Sequence, residues 1–364
     1  MHVIASLSGY GAERFVAALL PALAREGADV AALTVYPTRR PSASRSEAVP
    51  VFCAGRRARV EAGFFPRMVR AIRRFRPTIV HTHTHNGKYW GRLAAVAARV
   101  PHIVHTEHDP NFSPNAVERV ADALLARVTD QFIAFSEGHR LRLARAERIR
   151  LSRIAVIPNG IVHAQADADA RARGRALLGV APDQLVVLMI GRLEAQKNHA
   201  LALRAFARLA DDVKPKARLF IAGDGGCAAK LHAQADALEL ADSVAFLGFR
   251  SDALSLLTGA DAMLMTSRAE AMPIALIEAM GAAIPVVSTP WAGVEEMLDD
   301  GRLGTVAANH DPASVACALA QTLRDPAAAR DKARCARQRA LALYDLGSVA
   351  RRHLELYRTL LESA

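Results

Sequence analysis

At 364 residues the chain is long for a single core, and two domains of about 150–200 residues each are the natural division. Apolar residues make up 51%, enough for two ordinary cores, yet no apolar run reaches the ~20 residues that cross a membrane as a helix. The net charge of +11 is unevenly placed: residues 1–163 carry a surplus of 12 positive charges, and residues 164–364 an excess of one negative. That asymmetry predicts an acidic partner for the first half, such as an anionic membrane surface or a phosphorylated acceptor. The four cysteines are scattered without CxxC spacing, and the N-terminus lacks the basic start and small-residue cleavage site of a secretory signal. Both features predict a reduced, cytoplasmic chain without a disulfide framework or structural zinc.

Along the first half, short apolar runs alternate with helical patterns. His2–Leu7 reads as a strand, Ala12–Arg25 as a helix, Asp29–Val35 as a strand, and Pro37–Pro50 as a polar loop. Phe64–Phe75 (helix), Thr78–His83 (strand), Tyr89–Ala98 (helix) and His102–Thr106 (strand) follow. Then come Val117–Val128 (helix) and the strands Gln131–Ser136 and Arg153–Ile157. The polar stretch His163–Arg175 reads as a connector, after which the alternation resumes. Its strands are Leu185–Ile190, Arg218–Ala222, Ser243–Leu247, Ala262–Met265 and Ile284–Ser288, and its helices His199–Ala210, Ala228–Leu238 and Pro273–Met280. Leu346–Leu361 is a last amphipathic helix. Strands separated by helices predict an α/β protein of two tandem doubly wound, Rossmann-like domains with mostly parallel sheets.

In such sheets ligands sit where strand carboxyl ends turn into helices. The first such turn, Ser8-Gly9-Tyr10-Gly11-Ala12-Glu13-Arg14, offers backbone approach and helix N-terminal amides. It lacks the third glycine of a dinucleotide fingerprint, so a dehydrogenase is disfavoured. Gly191–Asn198 sets Arg192 and Lys197 five residues apart at a helix head, a fork and a point charge suited to a diphosphate. Glu270 precedes the helix beginning at Pro273 and Glu278 lies about two turns into it, with carboxyls roughly 10 Å or more apart along its axis. That separation suits the two ends of an extended ligand better than the ~5 Å of a retaining glycosidase pair. His81, His83 and His85 at one strand end, with His105 and His108 after the next, read as imidazoles lining a polar cleft. No HExxH motif or acidic cluster nearby supports a metal.

These segments together resemble retaining GT-B glycosyltransferases of family GT4, in the family's own order and over nearly the whole chain. They are GYGAER, HTHTH, TEHD at Thr106–Asp109, IPNGI at Ile157–Ile161, GRLEAQKN, AGDGG at Ala222–Gly226, LGFRSD at Leu247–Asp252, and the E-x7-E segment. The resemblance implies a GT-B architecture with a central cleft. Residues 1–163, with the returning helix at about 346–364, would form an acceptor-binding domain, and residues 164–345 a nucleotide-sugar domain. It implies that Arg192 and Lys197 hold the donor diphosphate and that Gly11 faces it. Glu278 would bind the ribose and Glu270 the transferred sugar, with Ala271, Met272, Pro273 and Ile274 lining sugar and phosphates. Phe249 and Arg250 would flank the base, and His108 would stand near the anomeric carbon. With His108, the residues Glu270, Arg192 and Lys197 would form the catalytic set; His81, His83 and His85 would face the acceptor. Two departures bear on specificity: Ala271 stands where the family has Gly, and Tyr10 where close relatives have Gly.

The expected reaction is transfer of a hexose or N-acetylhexosamine from a UDP-sugar, with GDP-mannose as the rival donor. The acceptor would be a hydroxyl of a glycan, a lipid-linked molecule or a small molecule. Preorganised cations replace a metal, so no cofactor is expected, and no nucleic acid. Other readings are a GT-B nucleotide-sugar epimerase and a non-catalytic nucleotide-sugar-binding subunit. Phe64, Phe65, Met68, Val69, Ile72 and Phe75 form one stripe flanked by Arg67, Arg70, Arg73, Arg74 and Arg76. Two arrangements fit: a core-packed helix with a solvated basic face, or a helix lying peripherally on the inner face of the cytoplasmic membrane.

Overall fold

A computed structural model describes residues 1–8, 11–38, 49–58, 61, 63–108, 115–163 and 169–362. Tyr10, Asp109, most of the polar loop Pro37–Pro50 and the middle of the connector lie outside the described residues. The chain divides into two compact units, Met1–Val162 with Leu343–Ala364, and His163–Ala342.

The first unit holds a seven-stranded parallel sheet of β1 (His2–Ile4), β2 (Ala32–Thr34), β3 (Val51–Cys53), β4 (Ile79–His83), β5 (His102–Thr106), β6 (Gln131–Ala134) and β7 (Ile154–Val156). Their order is β3-β2-β1-β4-β5-β6-β7. The second unit holds six parallel strands, β8 (Leu185–Ile190), β9 (Ala217–Ala222), β10 (Val244–Gly248), β11 (Ala262–Met265), β12 (Val286–Ser288) and β13 (Thr305–Val306). These run β10-β9-β8-β11-β12-β13. Each sheet is thus wound outward from its middle, as doubly wound sheets are. Buried strands covered on both faces read as unbroken apolar runs, as Val186, Val187, Leu188 and Met189 do in β8.

Several elements differ from the sequence expectation. β3 carries no assignment in the sequence, because a three-residue edge strand leaves no alternation to detect. The helix Glu137–Glu147 buries only His139 and Leu143, so its charged sequence shows no apolar stripe. Ala170–Leu178 is helical inside the expected connector, and the helices Pro312–Arg324 and Pro326–Leu343 lay unassigned. The helix expected from Pro273 begins at Ile274, with Pro273 at the N-cap, and ends at Gly281.

Phe64, Met68 and Ile72 settle the stripe on the helix Phe64–Phe75. All three are buried in the first unit's core with Val3, Leu33 and Val80, and Phe65, Val69 and Phe75 pack against the same core. Phe64 meets the Trp90 ring edge-on with centroids 5.0 Å apart. Arg67 and Arg73 donate to the carbonyls of Ala54 and Ala97, leaving Arg70, Arg74 and Arg76 in solvent. The helix is core-packed, with no apolar face for a membrane. No helix among the described residues is long and apolar enough to cross one.

The IPNGI segment has a packing reason. A Cβ on Gly160 would lie 3.0 Å from the Leu346 Cα and 3.1 Å from Val349, so only glycine lets the last helix, Leu346–Glu362, start this close. Ile161 fastens the approach, donating to Tyr344 O at 2.9 Å and accepting from Leu346 N at 3.0 Å. Val349, Ala350 and Leu354 then bury themselves in the first unit.

At the carboxyl ends of β4–β6 an ion cluster joins three helices. Lys88 Nζ lies 3.1 Å from Glu107 and 3.2 Å from Asp122 and also bonds Glu147, all of them buried. Arg92, fully buried, adds a second cation 3.9 Å from Asp122. Burial pushes the Glu147 carboxyl above its ordinary range, against the pull of Lys88. Lys88→Met would leave three carboxylates facing one another, and urea unfolding should show a loss of about 3–5 kcal/mol. A carboxyl raised in the folded state binds protons there before it does in the unfolded chain, so stability rises as pH falls. The variant should therefore recover part of the loss between pH 7 and pH 5; an unchanged deficit across that range would show that the carboxylates are not the cause.

Candidate active site

In a sheet wound outward from the middle, the loops after the two central strands leave in opposite directions and open a crevice. In the second unit those strands are β8 and β11. The β8 loop runs through Gly191 and Arg192 to a 3-10 turn, Ala195–Lys197, and then the helix His199–Ala207. Asn198 joins turn to helix with φ of 52°, which makes the sharp change of direction. The β11 loop carries Thr266, Ser267 and Glu270 into the helix Ile274–Gly281.

The two loops are stitched together. Thr266 Oγ1 donates to the carbonyls of Lys197 and Asn198 at 3.1 and 3.0 Å, Arg268 N donates to Gln196 O at 2.9 Å, and Gln196 Nε2 to Ala269 O at 2.7 Å. Across this seam Lys197 Nζ lies 2.5 Å from Glu270 Oε1, which also accepts from Ser267 Oγ at 2.6 Å. Glu270 is 6% exposed, so its charge is satisfied by a hydroxyl and an ammonium rather than by water. Arg192 is exposed and makes no side-chain hydrogen bond or ion pair among the described residues. The loop therefore presents one spare guanidinium beside one paired ammonium.

Glu278 is 4% exposed on the second turn of the helix Ile274–Gly281, whose last carbonyl, Gly281 O, accepts from Arg337 Nη1 at 2.5 Å. Met272, Pro273 and Ile274 are buried, Ala271 half-buried, and no side chain caps the start of the helix among the described residues. The β9 loop closes on the same rim: Gly223 N donates to Gly248 O at 2.8 Å, and Gly191 N to Ala222 O at 3.0 Å. A Cβ on Gly223 would lie 1.8 Å from Gly191 O, and one on Gly225 2.6 Å from Leu193 O, which accounts for the first two glycines of the AGDGG segment but not for Gly226. Beyond Gly248, whose φ is +64°, Phe249 is half-buried and Arg250 forks onto Asp252 with bonds of 2.7 and 2.6 Å. Arg192, Lys197, Phe249, Arg250, Glu270 and the 271–278 segment thus share the carboxyl-end rim of four neighbouring strands, β10, β9, β8 and β11.

The first unit has its own switch point, between β1 and β4. Gly11 opens the helix Gly11–Arg25 after β1 with φ of 25°, and Ser6 Oγ donates to Glu13 there at 2.6 Å. His81 and His83 end β4 and are buried, at 1% and 0% exposure. His85 is not on that strand; it sits exposed in the turn Thr84–Asn86 against Tyr89. His108, after β5, is half-buried beside Phe135 and meets His83 Nδ1 through Nε2 at 3.1 Å. Burial lowers the His108 pKa to about 3, so it is neutral at physiological pH. Ring nitrogens of His2, His81 and His83 come within 4.8 Å of one another. Both nitrogens of His81 already have partners, however, Tyr357 and Thr106. Sequence reasoning missed His2 and Tyr357, which reach this site only through the β1–β4 register (His2 beside His81) and the returning helix. It also missed Ser267, whose signal is a hydroxyl three residues before a buried carboxylate.

Two family models cover this chain almost end to end, Glycosyltransferase Family 4 over residues 10–165 and Glycosyl transferases group 1 over residues 171–339. A glycogen synthase of Mycobacterium tuberculosis is 30% identical over 310 residues, covering 82% of this chain and 73% of that enzyme. The chain is a family 4, group 1 glycosyltransferase. An Escherichia coli UDP-Gal:α-D-GlcNAc-diphosphoundecaprenol α-1,3-galactosyltransferase is 30% identical over 221 residues, 57% of this chain and 57% of that enzyme. Among solved structures, HepE of Anabaena in complex with UDP-glucose matches with a TM-score of 0.84 at 22% identity, over 98% of this chain and 99% of that one. The fold is that of the GT-B glycosyltransferases.

The rim of this glycosyltransferase depends on backbone contact at Gly223. Gly223→Ala should destabilise the second unit by more than ~2 kcal/mol in thermal or urea unfolding, because the clash is with backbone. Gly226→Ala, whose nearest neighbour would be 4.0 Å away, should stay within ~0.5 kcal/mol of the parent. Equal behaviour of the two variants would contradict the close packing of the β8 and β9 loops.

Proposed function

We propose that the enzyme transfers a hexose or N-acetylhexosamine from a UDP-sugar to an acceptor hydroxyl, with retention of configuration and without a metal. The observation that carries this reading is the Lys197–Glu270 pair at the β8–β11 switch point beside the unpartnered Arg192. A diphosphate entering there exchanges the ammonium's contact with a carboxylate for one with a phosphate and gains the guanidinium fork. As the glycosidic carbon–oxygen bond breaks, negative charge grows on the leaving diphosphate, and both cations with the helix N-terminal amides are already in place to meet it. Glu270, released in part from Lys197, accepts from the sugar hydroxyls, and Glu278 accepts from the ribose. Phe249 and Arg250 flank the base, and the roles of Gly11 and His108 are those the family resemblance implies. His85, the exposed member of the histidine set, is the one available to an acceptor. A thermal-shift panel should show stabilisation by UDP and a UDP-sugar in EDTA; stabilisation by GDP-mannose alone would reassign the donor. Lys197→Ala should cut transfer at least 10²-fold with the melting temperature preserved, and full activity would sink the assignment.

The helix Ala116–Arg127 supports a lipid-linked acceptor at an anionic bilayer. Asp122, which meets Lys88, and Leu125 face inward, while Val117, Val120 and Leu124 stand 79%, 61% and 54% exposed with Arg119 and Arg127 beside them. An apolar stripe presented outward among arginines, in a half-chain bearing 12 surplus positive charges, matches a surface of anionic headgroups over acyl chains. The capping box of Asn115 and Glu118 satisfies two backbone amides at the start of the helix. Val120→Asp with Leu124→Asp should abolish co-sedimentation with phosphatidylglycerol vesicles and leave binding of a UDP-sugar unchanged. Undiminished sedimentation would refute the contact.

A further inference from the structure

Six side chains of the first unit form one continuous hydrogen-bonded chain. Thr106 Oγ1 meets His81 Nε2 at 2.7 Å, and His81 Nδ1 meets the Tyr357 hydroxyl at 2.6 Å. That hydroxyl lies 3.4 Å from His2 Nε2, His2 Nδ1 lies 3.0 Å from His83 Nε2, and His83 Nδ1 lies 3.1 Å from His108 Nε2. Thr106, His81, His83 and His2 are all at least 98% buried. The chain starts at β5, crosses to the returning helix Leu346–Glu362 and comes back through β1 and β4 to the site.

A neutral imidazole has one N–H and one lone pair, so each ring donates through one nitrogen and accepts through the other. The direction could reverse only at the Tyr357 hydroxyl, by accepting from both His81 and His2, and that would leave its own hydrogen without an acceptor among the described residues; two polarities therefore remain. Their ends distinguish them. Thr106 is buried, and its hydroxyl has no hydrogen-bond partner among the described residues other than His81. If the chain points away from Thr106, its O–H donates to His81 and nothing is left over. If it points toward Thr106, the hydroxyl hydrogen faces the interior without an acceptor, the costlier kind of unmet group. At the other end His108 is half-buried, and its Nδ1 has no hydrogen-bond partner among the described residues, so an N–H there can reach solvent or a ligand.

We infer that the chain Thr106–His81–Tyr357–His2–His83 fixes His108 as the neutral Nδ1–H tautomer, so that its outer nitrogen is a hydrogen-bond donor and not a base. His81, Tyr357, His2 and His83 are then positioning residues, acting on the site through His108. Burial keeps the four imidazoles neutral, and it raises the Tyr357 phenol well above its ordinary value, so no link is lost to ionisation. The charged and titratable neighbours that face the chain's end are Glu107, His105, His139 and His353. Of these, Glu107 alone favours a protonated ring, and its influence is smaller than that of burial. Given the reading that places His108 by the donor sugar, an N–H there donates to a sugar oxygen. It also leaves no lone pair to deprotonate the incoming hydroxyl.

The test uses the full chain labelled with 15N-histidine, with His108 assigned by its absence in His108→Gln. Two-bond 1H–15N spectra should show His108 as a single Nδ1–H tautomer. Tyr357→Phe keeps the ring and removes the hydroxyl that couples His81 to His2; it should release His108 into a mixture of both tautomers. It should also lower kcat about tenfold or more, with KM for the nucleotide sugar within about twofold. Thr106→Val, which removes the terminal O–H, should release the tautomer in the same way, so a poorly folded Tyr357→Phe would not block the test. An Nε2–H tautomer of His108 in the parent, or a single unchanged tautomer in both variants, would overturn the inference. The spectra need no turnover, so loss of UDP-sugar stabilisation in the thermal-shift panel would count separately, against the donor reading.

Discussion

The parallel winding of each sheet is the constraint on which the rest depends. A parallel sheet that grows outward from its middle sends its two central loops apart, and the crevice between them is open by topology rather than by side-chain choice. An opening at the rim of a buried sheet exposes backbone ends and must be stitched by polar contacts. The second unit does this with Thr266, Gln196 and Arg268 across the β8–β11 seam. The Lys197–Glu270 pair is the charged part of that stitching. On the proposed reading, a diphosphate competes for that contact.

The two units solve the same problem with opposite chemistry. The second places formal charges at its switch point and satisfies Glu270 with a hydroxyl and an ammonium. The first fills the corresponding point, between β1 and β4, with neutral imidazoles whose pKa values burial depresses. Charged groups in the first unit are moved one loop further out, to the Lys88 cluster, where three carboxylates and two cations nearly balance.

Most of the fold was legible because its strands are apolar runs between helical periods and its turns carry glycines. The layout failed where local pattern carries little information. A three-residue edge strand such as β3 has no alternation, and Glu137–Glu147 buries two side chains and so looks like a charged loop. The aromatic stripe of Phe64–Phe75 was ambiguous in sequence, because one amphipathic pattern serves a core face and a membrane face alike; only packing on Val3 and Val80 decides. The outward apolar face of Ala116–Arg127 went unread for the complementary reason, that apolar residues are assumed to point inward. At the site, motif residues following one strand were easy to find. Contacts made across sheet register or by the returning helix, such as His2 and Tyr357 with His81, leave no trace in local spacing.

Crystals grown with UDP in the presence of EDTA would test the central claim most directly. The account places the diphosphate at the β8–β11 switch point, with oxygens about 3 Å from the guanidinium of Arg192 and the ammonium of Lys197. It also has Lys197 turned from Glu270 toward the phosphates. UDP bound away from this rim, or bound with Lys197 still engaged only by Glu270, would contradict it.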